Sequence, residues 1–467
     1  MISRLTLWLF LAAAMASPAL ATERNAWPFW VGDETEPGTI SSQQILGPLY
    51  ADRTNPDGST QQVLRPLWLK TANTESTTTH FLYPFFTWQR TADSRSFTFF
   101  QLINQSSASS PGSTDTHRFD VWPFYFSRDT GDPATSYRAV LPFAGTIKNR
   151  FGKDRLTWYA FPFYLNSDKA GKQVTTFVWP FIRMIDGAGH HGFEFWPLFG
   201  SREHPGDYHN QFYLWPFGYK QEKNLSEPQP DVKLGILPFY ARDSGPGYLS
   251  ETYAWPFFGY THRTLPAKYD ETRYFWPFLV QGRSDQRYVN RFAPFYSHSI
   301  IKGYDKTWVL WPFYRRASWS DNGLAQKRTA FLFFLYASVE QRSLTNPAAA
   351  PAYKTHLWPL ITAWDNGAGR RQTQLLSPLE IFFPHNDPIR QLYTPLFALY
   401  RFDQRAPGDT RHSLLWSLVS WKNSPAEKEF HFGPLGWRRA ADAARGRFFF
   451  FASRTHSAKP ASAPSSP

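Results

Sequence analysis

Residues 306–323 read KTWVLWPFYRRASWSDNG. An apolar and aromatic core runs from Trp308 to Tyr314, two arginines follow, and Asn322-Gly323 closes the segment. Aromatic and β-branched residues suit a strand. Pro312, in the middle of the core, does not, because proline offers no N–H to a neighbouring strand. The same core returns as VTTFVWPFIRMIDGAG (174–189), NQFYLWPFGYKQ (210–221), ETYAWPFFGYTH (251–262) and TRYFWPFLVQGRS (272–284).

Nineteen of the 38 prolines stand in such Pro-Phe or Pro-Leu cores, most of them 17 to 22 residues from the next. Asp57-Gly58, Asp186-Gly187, Gly206-Asp207, Asn322-Gly323, Asn366-Gly367 and Gly408-Asp409 fall between cores. Asn-Gly and Asp-Gly supply the positive φ angles that tight hairpins require. The pattern predicts an all-β chain, a long antiparallel meander of about 22 extended segments of ten to twelve residues each. A proline inside most segments leaves a carbonyl of the next strand unpaired, at about 1–3 kcal/mol for each buried group. The proline therefore marks a bend or bulge that divides each segment into two shorter arms.

Two architectures fit. Transmembrane strands need about 9–11 residues with an apolar band and aromatic girdles, so about 22 such segments make a large outer-membrane β-barrel. The cores are apolar on both faces, which suits instead a soluble β-repeat array: a propeller, a solenoid or stacked bent hairpins. Near the end, RGRFFFFAS (445–453) resembles the last-strand signal of outer-membrane proteins, and the aromatic-proline repeats resemble those of bacterial envelope proteins. The resemblance implies a Gram-negative outer-membrane setting and carries no activity with it.

The opening MISRLTLWLFLAAAMASPALA reads as a secretory signal: Arg4, an apolar run from Leu5 to Met15, and small residues at Ala19 and Ala21. Residues 22–454 then form the β-repeat domain, and 455–467 a disordered polar tail. No apolar run after Ala21 is long enough for a membrane helix, and cysteine is absent, so burial and sheet hydrogen bonds hold the fold. The net charge is +13. For an exported chain this points away from nucleic acid and toward lipopolysaccharide, outer-membrane lipid headgroups or acidic polysaccharide. Arg128, Arg183, Arg202, Arg242, Arg315 and Arg316 follow the cores and would border the aromatic band, with further arginines preceding the prolines giving it a second basic border. Arginines beside aromatic rings are also the makings of a sugar-binding surface.

Enzyme chemistry is poorly represented. Asp120, Glu194 and Glu380 are the carboxylates nearest to cores and share no motif; most other acids stand at turns. His190-His191 lacks a carboxylate or cysteine at ligand spacing and reads as a hairpin loop. No nucleophile elbow, phosphate loop or dinucleotide fingerprint is present, and no cofactor or metal is expected. The readings in order are an outer-membrane barrel with a structural or transport role, passing or retaining an anionic glycan or lipid; an exported binding scaffold for polysaccharide or protein; and a glycan-processing enzyme.

Overall fold

The structure is a computed structural model that describes residues 22–36, 39–55, 57–109 and 116–451. The segments read from the sequence as a secretory signal and a polar tail lie outside the described residues. Among the described residues, forty-three strands of four to eight residues and two short helices make up the regular structure. The chain divides into two compact units, residues 84–351 and residues 1–83 with 352–467.

The all-β antiparallel meander is as the sequence predicts, but its strands are twice as many and half as long. The reason lies at the prolines. Strands Lys153–Tyr159 and Tyr164–Lys169 pair antiparallel, from Tyr159 opposite Tyr164 to Arg155 opposite Asp168. The core Ala160-Phe161-Pro162-Phe163 is the reversal between them, closed by the Phe163 N–H donating to the Ala160 carbonyl at 2.9 Å. Each aromatic-proline core is thus a turn, and the two arms of each expected segment are neighbouring strands. Fifteen X–Pro bonds among the described residues are cis, including Trp179–Pro180, Trp215–Pro216 and Trp311–Pro312. Cis-proline stands at the third position of its turn class.

This placement removes the cost of the missing N–H, since proline's nitrogen points at no strand. Its carbonyl is used as an acceptor from the following turn. Trp179 N–H donates to the Pro162 carbonyl at 2.7 Å, Trp215 N–H to Pro197 at 2.7 Å and Trp311 N–H to Pro294 at 2.8 Å. The next carbonyl along is used likewise: Val178 N–H reaches Phe163 at 2.9 Å and Ala254 N–H reaches Phe239 at 2.8 Å. Backbone groups at the turns are therefore paired from hairpin to hairpin, as buried or crowded peptide groups must be.

Along the described residues of the unit 84–351 the connections alternate between two kinds, with Phe151 and Leu265 as apolar members of the otherwise polar set. Aromatic turns at 100–102, 122–124, 141–143, 160–163 and onward to 332–335 alternate with polar turns such as 169–172, 186–191, 204–208 and 321–324. In a meander every second turn lies on the same edge, so one edge is aromatic and the other polar. The packed cluster of this unit is Phe126, Tyr137, Ala139, Ile147 and Trp158. Gly145 belongs to it because a Cβ there would come within 2.3 Å of the Ala139 Cβ. Only a residue without a side chain lets those two strands approach.

The unit of residues 1–83 and 352–467 follows the same rule with one departure. The segment 376–399, with Pro378 and Pro395, looks like two more repeats in sequence but forms turns and the helices Asp387–Leu392 and Thr394–Phe397. Asn386 caps the first helix, its side chain accepting from the Ile389 N–H at 3.0 Å, and proline occupies the first turn. Leu392, fully buried, packs on Val63 and Leu69. No helix among the described residues is long and apolar enough to cross a membrane, which says nothing of strands.

Candidate functional site

The aromatic edge of residues 84–351 leaves large side chains in solvent. Phe143 is 74% exposed, Phe163 63% and Phe239 73%. Trp122, Trp179, Trp215 and Trp311 are also exposed. Rings of successive turns touch, Phe161 with Trp179 at 5.9 Å between centroids and Trp196 with Trp215 at 6.0 Å. Soluble proteins seldom expose contiguous apolar surface on this scale without using it.

One sheet face continues the apolar character inward and then loses it in steps. Its tier next to the edge runs, partner to partner, through Tyr159, Tyr164, Phe177, Ile182, Phe195, Phe199 and Tyr213. Two residues further along each strand the tier reads Thr157, Asn166, Thr175, Met184, Phe193, Ser201, Gln211, Lys220, Leu234 and Arg242, mostly polar. The third tier, beside the polar turns, is largely charged from Arg155 to Glu222, through Asp168, His191, Glu203 and His209, and passes to Val232 and Ser244 in the next strands. At about 3.3 Å per residue, polarity changes from hydrocarbon-like to ionic within roughly 13 Å.

The sequence-derived candidates do not form one site. Continuous register places Arg183, Glu194 and Arg315 in one row of the opposite face, with Arg128 and Arg202 two residues away on that face. Arg242 and Arg316 lie on the graded face, in its middle tier. Arg183 and Arg202 approach Glu194 at 3.0 and 3.7 Å. The other four make no ion pair among the described residues. The expected pair of basic borders is one border, because the chain reverses at the proline. Residues before and after each core then lie side by side, all on the same side of the aromatic edge.

The three carboxylates are buried and paired. Asp120, 1% exposed, accepts from Arg118 at 2.7 Å and from both terminal nitrogens of Arg150 at 2.7 and 3.0 Å. Glu380 faces Lys354 at 3.0 Å and Arg390 at 3.4 Å. Two cations around each carboxylate are the arrangement that keeps a buried charge tolerable. His190 sits in the hairpin loop, whereas His191 opens the strand His191–Phe195 and pairs with Glu203. His190 lies against His204, ring centroids 4.2 Å apart, and hydrogen-bonds Tyr208 at 3.0 Å, while His191 faces Asp186 at 3.2 Å. Burial and the nearby Lys172 and His204 charges lower the His190 pKa. No group of three or more metal-binding side chains occurs among the described residues.

Two polar arrangements escape sequence reading because their members are far apart or unremarkable alone. On the graded face Glu251 accepts from the hydroxyls of Tyr260, Tyr253 and Tyr240 at 2.7, 2.7 and 2.9 Å. These bonds lower the Glu251 pKa and push that of Tyr260 up to about 12. In the other unit Glu23, 4% exposed, accepts from Arg411 at 3.0 Å and Ser420 at 2.8 Å. Burial works to raise the Glu23 pKa, but the charges of Arg411 and His431 and the bonds from Arg411 and Ser420 outweigh it and hold it at about 2.

No protein-family model matches the chain, and a search of curated proteins found no relative.

Proposed function

We propose that the protein is an exported envelope protein of a Gram-negative cell that seats its aromatic-proline edge in the outer membrane and has a structural role there. The observation that carries this reading is the tiered face: exposed aromatic turns, an aromatic row behind them, then a polar tier holding Arg138, Lys220, Arg242 and Arg316, then charge. That order matches the sequence of environments from hydrocarbon through interface to water, where aromatic rings collect at headgroup depth and cations meet phosphate. The signal segment read from the sequence agrees with export.

Strand length favours entry into one leaflet over a bilayer-spanning wall. Strands of five or six residues reach about 17–20 Å, and spanning strands need about 9–11 residues. Fractionation of the native host tests the proposal. The protein is expected in the outer-membrane pellet after a high-salt wash, released by detergent. Recovery in the soluble periplasmic fraction would sink the lipid reading and leave an exported scaffold.

A further inference from the structure

An open groove of about 1160 Å³ lies within residues 84–351. It lies on the graded face between Trp88 and Arg138 and gathers several rings in a tier that elsewhere holds them singly, as at Phe193 and Tyr260. In its middle tier the partners run Trp88, Phe97, Gln105, Phe119, Ser127, Arg138. Trp88 and Phe119 are each about two-fifths exposed, although this tier is mostly hydroxyl and amide along the neighbouring strands. Trp88 and Phe97 are in ring contact at 5.2 Å, as are Phe119 and Tyr125 at 5.9 Å. A residue type that recurs in every repeat is explained by packing. Rings set into the polar tier, inside a hollow, are not.

The charges point to an anion. Arg95 and Arg138 line the groove, are exposed and make no ion pair among the described residues. Arg95 stands directly opposite Arg90, a like-charge juxtaposition that costs a sheet stability. Asp129 is the one carboxylate in the lining and already accepts from the Gly131 N–H at 3.0 Å. Ser107, Ser127 and Gln105 add short hydrogen-bonding groups to the same surface.

From this we infer that the groove binds a segment of acidic oligosaccharide, sugars bearing carboxylate or phosphate. The rings offer flat apolar platforms for sugar faces, the arginines meet the anionic substituents, and the serines and glutamine meet hydroxyls. The volume exceeds the usual range for a single small ligand, which fits several linked rings. An acyl chain would need an enclosed apolar slot, and this groove is open and half polar. The assignment does not depend on whether the aromatic edge enters lipid.

Titration calorimetry on the full chain in detergent, with short oligogalacturonate as the probe, tests it. Saturable binding that weakens with salt is expected. Trp88→Ala, and separately Arg95→Gln with Arg138→Gln, should each weaken it at least about tenfold, with neutral maltodextrin at least about tenfold weaker than the acidic probe. The substituted side chains are exposed, so unchanged circular dichroism is expected, and the arginine variant should melt no lower than the parent because Arg95→Gln relieves the repulsion from Arg90; Trp88→Phe, keeping a ring, should retain most binding. The assignment fails if oligogalacturonate does not bind, if the variants bind it within about twofold of the parent, or if single-stranded DNA binds more tightly through the same arginines. Vesicle binding serves as the separating control. If the variants lose binding to anionic phospholipid vesicles but keep the saccharide, the groove is a headgroup site and the saccharide assignment is overturned.

Discussion

Replacing Phe143, Phe163 and Phe239 together by serine separates an edge that meets lipid from one that merely happens to be apolar. Each side chain is between 63% and 74% exposed, so each has little to lose within the protein. Burying a whole phenylalanine side chain is worth about 1.5–3 kcal/mol; scaled by exposure, each contributes about 1–2 kcal/mol to lipid entry. Three together give roughly 3–6 kcal/mol, a weakening of partition by about two to four orders of magnitude. The backbone bonds of these turns survive, since serine keeps the N–H that Phe163 donates to Ala160 and Phe239 to Ile236. The assay is flotation with neutral vesicles over a range of lipid concentrations, alongside thermal melting in detergent-free buffer. Loss of flotation with a melting temperature close to the parent's is expected. Undiminished flotation with the fold intact would refute the reasoning. So would a collapse in melting temperature, which would mean these rings are packed rather than presented.

Asp120→Asn should destabilise by about 3 kcal/mol in urea titration, because it strands Arg150 beside a neutral group in a largely buried site. Trp158→Ala should cost about 3–5 kcal/mol by the same measurement, as it empties the centre of the main cluster and removes the indole bond to the Val140 carbonyl. Glu23 makes stability pH-dependent. Its folded pKa of about 2 lies below the ordinary 4.5, so its contribution is complete above pH 4.5 and is lost as pH falls toward 2. The loss is on the order of 3 kcal/mol, and an Arg411→Met variant melted across that window should show a smaller slope.

The fold class was legible because its signals are local. Proline and Asn-Gly or Asp-Gly pairs announce breaks wherever they stand, and the recurrence of cores ruled out helices over most of the chain. What misled the sequence reading was the proline's position within its core. An aromatic-proline core and a strand core share the same apolar composition, and nothing in composition says that the chain reverses there. The alternation of a proline core with a glycine or aspartate turn about ten residues later was the available clue, since that spacing fits a strand of five or six residues plus a turn. The helix at Asp387–Leu392 carried its own signal in Asn386, Asp387 and Pro388, obscured by two Pro-Leu pairs that looked like further repeats.

The sequence alone determined the all-β meander, the absence of disulfides, the basic balance and the repeat, because each follows from residue type and near neighbours along the chain. Only the tertiary structure decided which residues share a face. Pairing register distributes the arginines between two faces, folds Asp120, Glu194 and Glu380 into buried ion pairs, brings Glu23 to Arg411 across 388 residues, and gathers Trp88, Phe97, Phe119, Arg95 and Arg138 around one groove. A shift of one residue in any strand would send its side chains to the other face. Faces are therefore properties of paired strands, fixed by hydrogen bonds between segments that the linear sequence holds apart.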